Sequence, residues 1–86
     1  MALQVSLVSA EAEVWTGEAK LVVTTTTEGQ IGFMTGHEPV LAILGAGPVR
    51  ITQLDDTVVE ATAADGFVSV ENDRVTIVAG NAALVS

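Results

Sequence analysis

No stretch of a dozen residues in this 86-residue chain repeats apolar side chains at the i, i+3, i+4, i+7 spacing of an amphipathic helix. What recurs instead is a short apolar run, broken every few residues by glycine, asparagine or aspartate. Val, Ile and Thr make up about a third of the chain. Their branched Cβ restricts χ1 and suits a pleated, half-buried surface. The pattern predicts an all-β fold.

The alternation of Leu3, Val5 and Leu7 with Gln4 and Ser6 predicts a half-buried first strand. Further strands are expected at 13–15, 21–26, 31–34, 40–44, 49–54, 57–62, 67–71 and 75–79, with a short one at 82–85. Asp55-Asp56 and Asn72-Asp73 fit tight turns, because Asn and Asp tolerate left-handed backbone. Asp65-Gly66 reads as a turn that opens a strand. About ten short strands with frequent turns imply a flattened β-sandwich, residues 1–86 forming one domain. A folded chain of this mass has an accessible surface of roughly 4,800 Å², enough burial for one thin core. Trp15 and Phe67, the largest apolar groups by sequence, are expected in that core, although a thin sandwich can leave one such group on a face for a partner.

Charge and composition exclude several functions. The net charge is −8, and Lys20, Arg50 and Arg74 are the only cations. Nucleic-acid binding needs clustered Lys and Arg and is not expected. Direct attraction to anionic lipid is disfavoured for the same reason. There is no cysteine, hence no disulfide framework and no thiolate metal site. The first residues lack the basic and apolar stretches of a signal peptide, and no apolar run approaches the ~20 residues of a membrane span.

Catalytic constellations are also missing. His37 is the sole histidine, so any triad would have to be built on it. Asp55-Asp56 and Glu71-Asn72-Asp73 lack calcium-loop spacing, and there is no phosphate-binding loop motif. No cofactor or metal is expected. Lys20 is the sole lysine and raises a second reading, a free-standing ligand-binding or carrier module. Carrier lysines project from hairpin tips, however, and Lys20 leads straight into Leu21-Val22-Val23. A third reading, a small hydrolase built on His37, has no serine in a Gly-x-Ser-x-Gly context to support it.

The segment from Glu28 to Leu41 carries the most information. Three glycines fall within eight residues, followed by His37 and by Pro39 at the start of a strand. Gly29 and Gly36 suit turns, and Gly32 inside a strand suggests a bulge or the close approach of another backbone.

This segment resembles the Glu-Gly-x-Leu/Ile-Gly-Ile-x-Pro-Gly-His-x-Pro-Leu-Leu signature of the epsilon-subunit family of F-type ATP synthases (delta in mitochondrial nomenclature). The likeness continues through Val5 to Ser9, Val14 to Glu18, Pro48 to Ile51, Gly66 to Val70 and Asn72 to Ala79, in the family's order. It implies a ten-stranded sandwich in the central stalk, with the gamma subunit and the polar loops of the c ring as partners. It implies no catalytic residue, a role in coupling proton translocation to ATP synthesis, and attachment to the cytoplasmic face of a bacterial plasma membrane only through the complex, with a plastid thylakoid as the alternative location. The residues implied at the rotor interface are Glu28, Gly29, Gln30, Ile31, Gly32, Thr35, Gly36, His37 and Glu38. Thr35 departs from the family's usual proline, and Gln30 stands where many members carry an acid. His37 has the alternative of a turn residue that caps backbone groups. The family's C-terminal helical hairpin, with its inhibitory and ATP-binding properties, has no counterpart before Ser86.

Overall fold

The computed structural model describes residues 2–85, and these form seven strands without a helix. They are β1 (Leu3–Ser9), β2 (Glu13–Thr26), β3 (Gly29–Phe33), β4 (Val40–Ile43), β5 (Gly47–Gln53), β6 (Val58–Glu71) and β7 (Arg74–Leu84). The hydrogen-bonded ladder runs β1-β7-β6-β5-β2-β3, with β4 on β6 and a further β1–β2 pairing that joins the two ends of the path.

The registers sort this ladder into two layers. In the first, β4 pairs the second half of β6, which pairs the first half of β7. There β7 runs parallel to β1, and β1 pairs the first half of β2. In the second, β3 pairs the second half of β2, which pairs β5. From there β5 pairs the first half of β6, which pairs the second half of β7. The molecule measures 30 × 26 × 20 Å, and its short axis suits two sheets packed about 10 Å apart with their outer side chains.

The strand count is therefore seven and not ten, because β2, β6 and β7 each contribute to both layers. Each changes the phase of its alternation where it crosses. The inward residues of β2 shift from Ala19 to Val22, Thr24 and Thr26, and the β2–β5 register slips between Ala19 and Leu21. Those of β6 shift from Ala61 and Ala63 to Val68 and Val70. In β7 the shift is from Val75, Ile77 and Ala79 to the partly buried Ala82. A period-2 reading sees two strands wherever the phase breaks.

Asp65-Gly66 is such a crossing and not a turn that opens a strand. Asp65 has φ 61° within β6. A Cβ on Gly66 would sit 1.7 Å from the Val78 carbonyl oxygen, so β7 passes directly over it. The expected tight turns are present, with φ 71° at Asp56, 51° at Asn72 and 59° at Asp73.

The core is aliphatic around one ring. Phe33 is fully buried among Leu3, Leu7, Val22, Ile51, Val68, Val75 and Ile77. Trp15 is half-buried and packs against this core. Phe67 is not in it: 42% of its surface is exposed, because the phase set by Val68 and Val70 turns residue 67 outward. The accessible surface is 4816 Å², ordinary for a folded chain of this size. Exposed apolar groups are thus a property of particular faces and not of loose packing.

Candidate docking surface

The nine residues singled out by sequence lie along and around β3. Thr27 and Glu28 form the β2–β3 turn, where the Thr26 hydroxyl donates to the Gly29 carbonyl (2.8 Å) and accepts the Glu28 amide (3.1 Å). Gly29 has φ 116°, which β-branched or bulky residues do not tolerate. The turn is held to the end of β4, since the Thr27 amide donates to the Ile43 carbonyl at 3.1 Å.

At the other end of β3 a turn runs from Met34 to His37. It is closed by the His37 amide donating to the Met34 carbonyl (3.2 Å), with Gly36 at φ 84°. The Gly36 amide donates to the Asp73 carboxylate at 2.7 Å, which ties this turn to the β6–β7 hairpin. His37 is half-buried. Its Nδ1 lies 2.7 Å from the Glu38 carbonyl oxygen, so Nδ1 carries the proton and donates. Its ring meets Phe33 edge-on at 5.1 Å between centroids. In this structure His37 holds a turn against the core.

Glu28 and the pair His37–Glu38 are therefore separated by the length of β3, roughly 17 Å of extended chain. Ile31 is half-buried, whereas Gln30, Gly32 and Thr35 are exposed. Among the described residues β3 pairs only with β2, which leaves its other edge free of them, and the β2–β3 register runs without a bulge. The structure brings these residues together as one edge ribbon with acids at both ends, not as a compact cluster.

A second surface escaped the sequence reading. Ile43 lies directly opposite Phe67, Phe67 opposite Val78, and Val78 opposite Val8. Directly opposed residues share a face, so these four form one apolar row across the outside of the first layer. Leu41 joins it from β4, with 75% of its surface exposed against 66% for Ile43. The signal in the sequence was the run Val40-Leu41-Ala42-Ile43-Leu44. In an extended strand only alternate members of such a run can face the core. The neighbouring row, Ser69, Thr76 and Ser6, is uncharged.

The remaining polar groups are ordinary. Lys20 lies inside β2 and not at a hairpin tip, and it pairs with Asp56 of the β5–β6 turn. Arg50 Nε is 3.3 Å from Glu60 Oε1 across the β5–β6 ladder. Among the described residues no group of three His, Cys, Asp or Glu side chains is placed to hold a metal ion.

An all-β sandwich with an outward apolar row on one layer and a glycine-bearing edge strand on the other defines the class of fold. Residues 2–85 match the family described as ATP synthase, Delta/Epsilon chain, beta-sandwich domain, and the chain belongs to that family. It is 47% identical over 77 residues to the ATP synthase epsilon chain of Streptomyces coelicolor, covering 90% of this chain and 62% of that one. It is 45% identical over 82 residues to the epsilon chain of Micrococcus luteus, covering 95% of this chain and 90% of that one. The chain thus spans less than two thirds of the Streptomyces relative and nearly all of the Micrococcus one. Among solved structures, a chain of the Euglena gracilis mitochondrial ATP synthase (OSCP/F1/c-ring) superposes with a TM-score of 0.90 at 19% identity, over 96% of this chain and 53% of that one. A chain of the Tetrahymena thermophila central stalk/c-ring superposes at 0.77 with 16% identity, over 95% and 66%. At these identities the superpositions show the fold.

Proposed function

We propose that this chain is a non-catalytic central-stalk subunit of a bacterial F-type ATP synthase. It links the gamma shaft to the c ring, so that proton-driven rotation reaches the subunits that make ATP. It sits on the cytoplasmic face of the plasma membrane as a peripheral component, held there by the complex alone. The observation that carries this reading is the family match over residues 2–85, which spans every strand.

The two surfaces divide the work. The row Val8, Val78, Phe67, Ile43 with Leu41 packs on gamma, since an uncharged apolar face gains most by burial against a protein. The β3 ribbon with Glu28, Gln30 and Glu38 faces the ring's polar loops. A net charge of −8 favours cationic groups there.

Sedimentation of the chain with its cognate gamma subunit tests the assignment. Saturable 1:1 binding is expected, weakened about tenfold or more by Leu41→Ser with Phe67→Ser. Both side chains are exposed, so the double variant keeps its fold. Absence of binding by folded wild-type chain would sink the proposal.

A further inference from the structure

Lys20 pairs with Asp56 and Arg50 with Glu60, whereas among the described residues Arg74 makes no ion pair. A chain with 11 acidic residues and a net charge of −8 thus leaves one of its three cations unused. Acids are not lacking nearby. Glu71 stands directly opposite Arg74 where the β6–β7 hairpin closes, and Gln4 stands opposite on β1. The Gln4 amide nitrogen is spent on Glu18, to which it donates at 3.1 Å. The Arg74 guanidinium, a rigid fork of five donors, remains exposed.

Its place on the molecule says what it suits. Arg74 lies on the outer face of the first layer, on the same side of β7 as Thr76 and Val78. Thr76 is flanked by Ser69 on β6 and by Ser6 on β1, and Ser6 in turn by Thr16 on β2. A hollow of about 420 Å³ beside Arg74 is walled by Ser6, Thr16 and Thr76. It gathers a planar guanidinium and three hydroxyls, the donor set that a carboxylate takes best. The apolar row through Val78 begins four residues along β7, roughly 13 Å away in extended chain. No charged residue lies between them on that face.

We propose that Arg74 receives an acidic side chain of the partner that covers the Val78 row. The partner's docking segment carries Asp or Glu about 13 Å from its apolar contact. Its carboxylate accepts two parallel N–H···O bonds from the guanidinium and a further bond from the Thr76 or Ser6 hydroxyl. The inference rests on the stalk-subunit reading and deepens it, the partner being gamma. A strongly negative chain repels acids at long range, so the one cation free of an intramolecular acid marks where an acid is accepted. Arg74 thereby fixes the register of the segment on an otherwise uncharged face, which apolar contact alone leaves free to slide.

The test measures gamma binding by Arg74→Gln, Arg74→Lys and Arg50→Gln chains across a salt series. All three changes are at exposed positions, and Tm is expected to stay within about 2 °C of wild type. Arg74→Gln is expected to weaken binding about tenfold or more at low salt. Arg74→Lys weakens it less, because an ammonium keeps the charge and loses the fork. The gap between Arg74→Gln and wild type narrows as salt rises. Arg50→Gln, on the outer face of the other layer, binds as wild type. Were net charge all that counted, Arg74→Gln and Arg50→Gln would shift affinity equally, and equal shifts overturn the inference. Wild-type affinity in Arg74→Gln overturns it as well and leaves the stalk reading standing. Failure of the folded wild-type chain to bind gamma overturns the stalk reading and this inference with it.

Discussion

The Gly36 amide donates to the Asp73 carboxylate across 2.7 Å, joining two turns that lie 37 residues apart in sequence. The main-chain carbonyl of Asp73 also accepts the Gln4 amide at 2.8 Å. One hairpin residue thus fixes both the start of β1 and the turn that follows β3.

Asp73→Ala removes the carboxylate acceptor and places alanine at φ 59°. A lost hydrogen bond of about 1–1.5 kcal/mol and left-handed strain of about 1 kcal/mol add to roughly 2–2.5 kcal/mol. Asp73→Asn keeps an acceptor oxygen and tolerates the same φ, so it loses less than half of that. Urea unfolding measures both, and a loss in Asp73→Ala no larger than the left-handed strain of about 1 kcal/mol would show that the Gly36 bond contributes nothing. Amide exchange at Gly36 is expected to accelerate only in the alanine variant.

Gly66→Ala and Gly32→Ala separate a glycine that the fold requires from one that it does not, since a Cβ at Gly32 would meet nothing nearer than Leu21 Cδ1 at 3.7 Å. At Gly66 the Cβ would fall 1.7 Å from the Val78 oxygen and 2.7 Å from the Ala79 Cα, both backbone atoms that cannot swing away. The expected loss exceeds about 3 kcal/mol, a large share of the stability of a domain this size. Thermal melts of the two alanine variants should diverge in sign.

Thr24 is fully buried, and its hydroxyl has no hydrogen-bond partner. Its side chain therefore carries an uncompensated desolvation cost of about 1–2 kcal/mol. Thr24→Val keeps the branched shape and removes the hydroxyl, so Tm is expected to rise by at least about 4 °C. A fall in Tm would mean that the hydroxyl is satisfied after all.

Acid weakens the β5–β6 turn in a defined direction. The Thr57 amide donates to Asp55 Oδ1 at 3.0 Å, and this bond, with help from the Thr57 hydroxyl, holds the Asp55 carboxyl below its ordinary value. A depressed folded-state pKa stabilises above the unfolded value and loses that stabilisation as pH falls through the folded one. Wild type should therefore lose stability relative to Asp55→Asn as pH drops below the ordinary carboxylate range, and the two should run parallel near neutrality. The group is fully exposed, so the slope is shallow. Parallel curves throughout acid would remove this bond from the account of the turn.

Much of the architecture was legible because local chemistry dictates it. Leu3, Val5 and Leu7 announced β1 by alternation, and Asn72-Asp73 announced a hairpin by its tolerance of positive φ. The chain's membership in the delta/epsilon family was legible from ordered motifs along its whole length. The strand count was not, because Ala19, Asp65 and Gly80 shift the phase inside continuous strands. A phase shift looks like an ending until the partner strand is known. Phe67 was misassigned for the same reason, since its direction depends on which side of the Asp65 crossing sets the phase. His37 was noticed, yet its contact with Phe33 and its bond to the Glu38 carbonyl are properties of the folded turn.

The sequence by itself determined an all-β chain of short apolar runs and acidic turns, because side-chain branching, alternation and turn chemistry act within a few residues. The tertiary structure alone decided which of those runs share a strand, and that Ile43, Phe67, Val78 and Val8 meet as one outward-facing row. It also decided that a side chain at Gly32 would meet only ordinary contacts while Gly66 lies under a backbone. Those outcomes depend on contacts between residues tens of positions apart, where register and layer crossing, and not local preference, set what each side chain touches.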